Sequence, residues 1–293
     1  MSETHRIAAE GITVEIAAEG AELQSVRDAA GAELLWQAGE EWPRRAPVLF
    51  PIVGRLANDT LHAKGRGYRL TQHGFARDSR FEWTERADRR AVLRLEGGEA
   101  AGAAFPYPFR FEQIYAVAGS TLTVTSRVTN PGDEVLPCGV GAHPGFAWPL
   151  AEGVPKDSHV LVFDRPETGP VLSVEGGLLA APKPSTPFEG DRLPLREELF
   201  AKDALVLPDV QSRSVRFAAL RRDGGEVKAI TLAWDGYKDL GIWSKPSGAP
   251  FLCIEPWFSM ASQVGWDGDF AEKPGILHVP PGESREFVWR VTV

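Results

Sequence analysis

Apolar and polar residues alternate one for one along much of the chain. In TLTVTSRVT, Leu122, Val124 and Val128 share one face while Thr121, Thr123, Thr125 and Arg127 share the other, which is the period of a strand with one buried side. The same alternation marks GITVEIA, RFEWTERA, AVLRLE, FRFEQIYAV, HVLVFD, SVRFAAL, VKAITLAW and REFVWRVTV, with Gly, Pro, Asp and Asn turn signals between them. A helical period is nearly absent. PLREELF, residues 194–200, is the best helix candidate, because proline suits a first turn and acidic residues follow it. Strands that do not alternate with long helices disfavour a parallel α/β sheet. The pattern predicts an all-β chain, one large antiparallel β-sandwich with little helix. Residues 167–193 are rich in Gly, Pro and Ser and read as a long surface excursion within it. No repeat and no shift in composition divides the chain, so residues 1–293 are read as one domain.

Composition removes several function classes. Forty acidic residues against 32 basic ones give a net charge of −8, which argues against a phosphate-backbone partner, and no basic run or zinc-finger spacing is present. No apolar run approaches a membrane span. The first residues, MSETHRIAAEGITVEI, have neither a basic nor a continuous apolar segment, so no signal peptide is expected. The two cysteines, Cys138 and Cys253, are too few for a disulfide framework and wrongly spaced for zinc. They read as small buried side chains in a protein of the reducing cytoplasm.

Four stretches break the alternation by setting polar side chains among Gly, Pro and aromatic residues. They are FPIVGRLAND with Arg55 and Asn58, QHGFARD with His73 and Arg77, GAHPGF with His143, and CIEPWF with Glu255. In the last, an apolar strand forces a glutamate against a Pro-Trp-Phe platform; such a carboxylate is either paired at a cost or used chemically. An imidazole and a carboxylate together can open a hemiacetal ring, one giving a proton to the ring oxygen and the other taking one from the C1 hydroxyl. Aromatic walls such as Trp148, Trp257 and Phe146 would suit the C–H faces of a sugar. His62, His159 and His278 stand apart without polar companions and suggest no metal site.

In this order, PVLFPIVGRL, QHGFAR, HPGF and GAPFLCIEPW resemble the aldose 1-epimerase (galactose mutarotase) family, most of all its bacterial mutarotase-like branch associated with lactose utilisation. Weaker similarity, including LFAKDALVL and LGIWSKP, extends it over almost the whole chain. The resemblance implies a β-supersandwich, no cofactor and a free aldohexose as substrate. It makes His143 the general acid and Glu255 the general base, and Arg55 and His73 binders of sugar hydroxyls; Asp203 matches a sugar-binding aspartate more loosely. Gly54 stands where the galactose enzymes usually carry asparagine. Two further readings compete. Arg55 and Arg77 could clamp the phosphate of a hexose phosphate, as in related hexose-6-phosphate epimerases, or the pocket could bind sugar without turnover. A two-carboxylate glycosidase built on Glu255 and Asp203 leaves both histidines unexplained.

Overall fold

The computed structural model describes residues 3–97, 102–182, 185–246 and 248–293. Two large sheets dominate. One has nine strands, running in space from Arg192–Pro194 through His159–Phe163, Ser214–Leu220, Glu226–Asp235, Ser284–Thr292, Thr121–Thr129, Arg110–Ala118 and Arg90–Glu96 to Glu82–Arg86. Every neighbouring pair in it is antiparallel. These are the strands whose alternation is plainest in the sequence. Leu122, Val124 and Val128 are buried and the threonines between them partly exposed, as the period requires.

The second sheet has eight strands and carries the site. Its path runs Leu178–Pro182, Leu172–Glu175, Leu205–Leu207, Asp239–Trp243, Phe251–Phe258, Val140–Ala142 and Val48–Leu49, with Gly145–Ala147 also paired to Phe251–Phe258. Both of its faces are covered. Leu205, Leu207, Leu240, Ile242, Leu252 and Ile254 point into the main core, together with Phe217, Leu232 and Trp289 of the nine-stranded sheet. From the same strands Val206, Trp257, Phe251 and Cys253 point the other way into two smaller apolar clusters. A strand buried on both sides reads as a continuous apolar run rather than an alternation, which explains FLCIEPWF. Full burial of each large side chain contributes ~1.5–3 kcal/mol against the entropy of ordering the chain.

Two expectations need correction. Residues 167–193 are not only a surface excursion: Leu172–Glu175 and Leu178–Pro182 form a hairpin that joins the edge of the site sheet through Leu172 and Val206. Its two-residue loop is Gly176-Gly177, with φ of 60° and 84°, the mirror-image turn that glycine permits and hairpin twist favours. Residues 183 and 184 of that stretch lie outside the described residues. In PLREELF only Glu197–Phe200 turns, as a 3-10 segment, and Pro194 ends a strand instead of opening a helix. Among the described residues no helix is long and apolar enough to cross a membrane.

Candidate active site

His143 and Glu255 meet because of strand register. Val140–Ala142 pairs with Phe251–Phe258 so that Gly141 faces Trp257, and Gly145–Ala147 pairs with the same strand so that Gly145 faces Cys253. Between these pairs the ladder thins at His143 and Pro144, since proline has no N–H to give, though its carbonyl still accepts from the Ile254 N–H (3.3 Å). Continued two residues inward from either side, the register sets His143 opposite Glu255. Cross-strand neighbours share a face with their Cβ atoms about 4.5–5.5 Å apart, and the side chains close the rest: His143 Nε2 lies 3.1 Å from Glu255 Oε2. Glu255 is 1% exposed and His143 7%. On its other side Glu255 is flanked by Gly241. A Cβ at Gly241 would lie 2.3 Å from Trp257 Cη2, and one at Gly141 would lie 2.8 Å from Trp257 Cδ1. Two glycines on neighbouring strands thus make the trough in which the indole of Trp257 lies.

Burial drives both members of the pair toward their neutral forms. It lifts the Glu255 carboxyl well above the ordinary carboxylate range, and the negative charge of Asp203 adds to the effect. It lowers His143 well below an ordinary histidine, with the nearby positive charges of Arg77 and Arg44 acting in the same direction. A protonated carboxyl beside a neutral imidazole and a carboxylate beside an imidazolium contain the same single proton, differing only in where it sits along 3.1 Å. The pair is a one-proton unit. This differs from two groups held permanently in opposite charge states.

His73 comes in from the turn after Leu70. Its φ is +66° and that of Gly74 is +72°, and a Cβ at Gly74 would come within 2.3 Å of the Phe50 carbonyl oxygen. Two reciprocal bonds hold the strained turn: the His73 N–H donates to the Gly54 carbonyl (2.8 Å), and the Gly54 N–H donates to His73 Nδ1 (3.1 Å). An Nδ1 that accepts assigns the ring proton to Nε2, which is then a donor, so the Gln72 side-chain amide 3.3 Å from Nε2 must turn its oxygen, not its nitrogen, toward the ring. Burial also keeps this ring neutral by lowering its pKa well below the usual value. Gly54 itself has φ +69°, and a Cβ there would lie 2.5 Å from that of Ala261. No side chain fits at Gly54, which is the physical content of its departure from the family's asparagine.

These groups line a cavity of about 320 Å³, with Gln72, Arg77, Asp203, Trp42, Trp243 and Trp257 among its walls. His73, Asp203, Arg77 and Trp257 are therefore brought together with His143 and Glu255. Arg55 is not. Its guanidinium closes on Asp59 (Nε–Oδ1 2.7 Å, Nη2–Oδ2 3.0 Å) and donates from Nη1 to the Gly176 carbonyl at the hairpin turn (3.2 Å). Outside the cavity lining, it braces the hairpin that brings Val174, Gly177 and Leu179 to the wall. Asn58 is exposed and also outside the lining. The two-arginine clamp is thus not assembled; Arg77 alone faces the cavity. Its Nε is buried without a partner, 3.7 Å from Asp78, and burial together with Arg44 lowers its pKa to about 10.

The aromatic walls also differ from expectation. Trp148 and Phe146 are fully buried in the main core, with Trp148 Nε1 donating to the Lys156 carbonyl, because the strand alternation turns them inward. Trp42 and Trp243 take their place. The Trp42 ring lies over the His143 imidazole at 5.0 Å between centroids, tilted by 31°, and Trp243 meets it edge-on at 5.8 Å. Trp42 sits in a loop with no periodic signal; its one sequence cue is a Trp-Pro step among charged residues. His62 does have a polar companion, Asp267 at 3.1 Å. His159 is held between the Leu150 N–H and the Pro155 carbonyl, and His278 against Ala271.

Comparison with known proteins agrees with this architecture. Protein LacX, chromosomal, of Lactococcus lactis subsp. lactis is 30% identical over 295 residues, 97% of each chain. Among solved structures, a galactose mutarotase related enzyme from Lactobacillus acidophilus superposes with a TM-score of 0.90 at 32% identity, covering 99% of this chain and 97% of that one. A galactose mutarotase-like protein from Lactobacillus casei ATCC 334 gives 0.90 at 25% identity, with 99% of each chain covered. Residues 3–263 match the family described as Aldose 1-epimerase. With a family match over residues 3–263 that takes in the paired His143 and Glu255, the chain belongs to the aldose 1-epimerase family.

Proposed function

We propose that this protein interconverts the α and β anomers of a free aldohexose, with His143 and Glu255 as its acid–base pair. The observation that carries the reading is the 3.1 Å approach of two buried titratable groups on the wall of a cavity of about 320 Å³. That volume is at the small end of ligand pockets, ~300–1,000 Å³, and suits a monosaccharide better than a polymer.

Proton counting favours the pair as the catalytic unit. When the shared proton stands on His143, the imidazolium gives it to the ring oxygen while the Glu255 carboxylate takes one from the C1 hydroxyl. The C1 to ring-oxygen bond breaks and the aldehyde forms. The pair still holds one proton, now on Glu255. Rotation about the C1–C2 bond offers the other carbonyl face, and the reversed transfers close the ring. His73 Nε2–H, Gln72 and Asp203 hold hydroxyls meanwhile, and Trp42, Trp243 and Trp257 supply apolar faces. No cofactor is needed for any of these steps.

A second reading follows from Arg77. An arginine in the cavity with an unpartnered Nε could meet the phosphate of a hexose phosphate. Freshly dissolved α-glucose, α-galactose and α-glucose-6-phosphate, followed by polarimetry or NMR against the uncatalysed rate, separate the two. Faster equilibration of the neutral sugars is expected. A strong preference for the phosphate, lost in Arg77→Ala, would replace the first reading with the second, and no acceleration of any of them would refute both.

A further inference from the structure

We propose that the wall of the cavity is also a binding site for a divalent thiophilic cation of the zinc class, held by Cys253, His143 and Glu255, whose binding blocks the acid–base pair. The blocking rests on the function proposed above; the binding does not.

The three donor atoms lie within 4.8 Å of one another and all three residues are buried, the one such grouping among the described residues. Strand geometry puts them there: Cys253 and Glu255 are two apart on one face of Phe251–Phe258, and His143 stands across from Glu255. Zinc bonds to nitrogen and oxygen are ~2.0–2.1 Å, so two such ligands of a tetrahedral ion stand roughly 3.3 Å apart. The 3.1 Å between His143 Nε2 and Glu255 Oε2 is close to that edge. A Zn–S bond of about 2.3 Å requires sulfur roughly 3.5 Å from its co-ligands, inside the 4.8 Å within which the three donors lie.

A second observation concerns satisfaction of these buried atoms. Glu255 Oε2 has only the 3.1 Å approach of His143 Nε2, without good hydrogen-bond geometry, and His143 Nδ1 is buried without a hydrogen-bond partner. Buried polar atoms so poorly satisfied need an explanation. An ion between the three residues would engage Oε2 directly. Glu255 and His143 line the cavity and Cys253 does not, so the open side, toward the cavity, is where the fourth position of the tetrahedron would lie. A thiolate with an imidazole selects zinc-like ions over magnesium or calcium.

Binding is an exchange without redox change. The cation displaces the thiol proton of Cys253 and the proton shared by His143 and Glu255, so two protons leave for solvent and three metal–ligand bonds form. Without that proton, and with the ion between its members, the pair can neither give nor take one. Neither cysteine is in a disulfide, and Cys138, on the separate strand Leu136–Cys138, is the internal control.

The test adds Co²⁺ to chelator-stripped full-length protein. A near-ultraviolet thiolate-to-cobalt band with visible bands of a tetrahedral site is expected, and Zn²⁺ should bleach both. Cys253→Ala, checked for folding by circular dichroism, should lose the thiolate band and weaken binding at least tenfold while keeping its anomerisation rate; Cys138→Ala should change nothing. Zn²⁺ should inhibit the wild type over the concentration range in which it displaces Co²⁺, and Cys253→Ala should need at least tenfold more. No thiolate band, or one that persists in Cys253→Ala, overturns the site. A band that depends on Cys253 in a protein with no sugar activity keeps the site and removes the proposed function instead; Cys253-dependent binding with undiminished activity overturns the blocking.

Discussion

Glu255→Gln should make the protein more stable and nearly inactive, and the gain in stability should grow with pH. The carboxyl is 1% exposed, and burial with the charge of Asp203 raises its pKa well above the usual value. In the unfolded chain it ionises near 4.5. A group raised in the folded state contributes fully below its unfolded pKa and loses that contribution as pH rises. While the folded carboxyl keeps its proton, each pH unit above 4.5 costs about 1.36 kcal/mol. Glutamine has the same shape and carries no such dependence, and the burial of His143 is common to both proteins and subtracts. From pH 5.5 to 7.5 the difference in unfolding free energy should therefore shift in favour of Glu255→Gln, up to a ceiling of about 2.7 kcal/mol that is reached when the folded carboxyl keeps its proton throughout. Urea unfolding at a series of pH values, with a chelator present, measures it. Over the same range kcat should fall on the order of 10²- to 10⁴-fold. Two stability curves that run parallel within about 0.5 kcal/mol, a margin typical of neutral surface changes, would mean that the folded carboxyl is ionised and that the one-proton account of the pair is wrong.

His143→Asn should also lose about 10²- to 10⁴-fold in kcat, and combining it with Glu255→Gln should add little to the worse single loss, because the two groups act as one unit. Losses that multiply would show two independent roles. His73→Ala should raise KM at least tenfold with kcat changed only a few-fold, since its Nε2–H is assigned to a hydroxyl present in ground and transition states alike; a fall in kcat alone would contradict that assignment. It should also lower stability by about 1–3 kcal/mol by leaving the buried Gly54 N–H unpaired. In Gly241→Ala the new methyl would meet Trp257 at 2.3 Å, so thermal unfolding should show a loss of about 1–3 kcal/mol and near-ultraviolet circular dichroism a moved indole; an unchanged spectrum would place Trp257 elsewhere.

The nine-stranded sheet was legible from alternation because one face of each of its long strands is solvated. The site sheet was much less so. Leu205–Leu207, Val140–Ala142 and Val48–Leu49 are two or three residues long and buried, so no period can develop in them. His143, Glu255, His73, Asp203, Arg77 and Trp257 were identified from polar residues set among Gly, Pro and aromatic ones or from family resemblance, and the structure gathers them around one cavity. Arg55 was singled out from the same kind of stretch and given its sugar-binding role by resemblance, and nothing in GRLAND announces that Asp59, four residues on, would take its guanidinium. Trp42 and Trp243 escaped because an aromatic residue in a loop or strand looks the same whether it faces a ligand or a core. Cys253 could have been noticed: its spacing of two from Glu255 in a strand means a shared face, but the third donor comes from 110 residues earlier, beyond the reach of any spacing rule.

The thinned ladder around His143 and Pro144 has an evolutionary consequence. Spacing between the acid and the base is fixed by the distance between adjacent strands, ~4.7–4.9 Å in any sheet, a length that no loop substitution can alter. The rest of the cavity comes from elsewhere: the hairpin with Val174 and Leu179, the turn of His73, the loop of Trp42 and the bend at Asp203. Insertions and replacements in those segments can retune which hydroxyls are recognised while the proton-transfer distance is inherited intact. On the proposed function, chemistry and selectivity would thus be set by different parts of the architecture, the one by strand spacing and the other by loops and a hairpin.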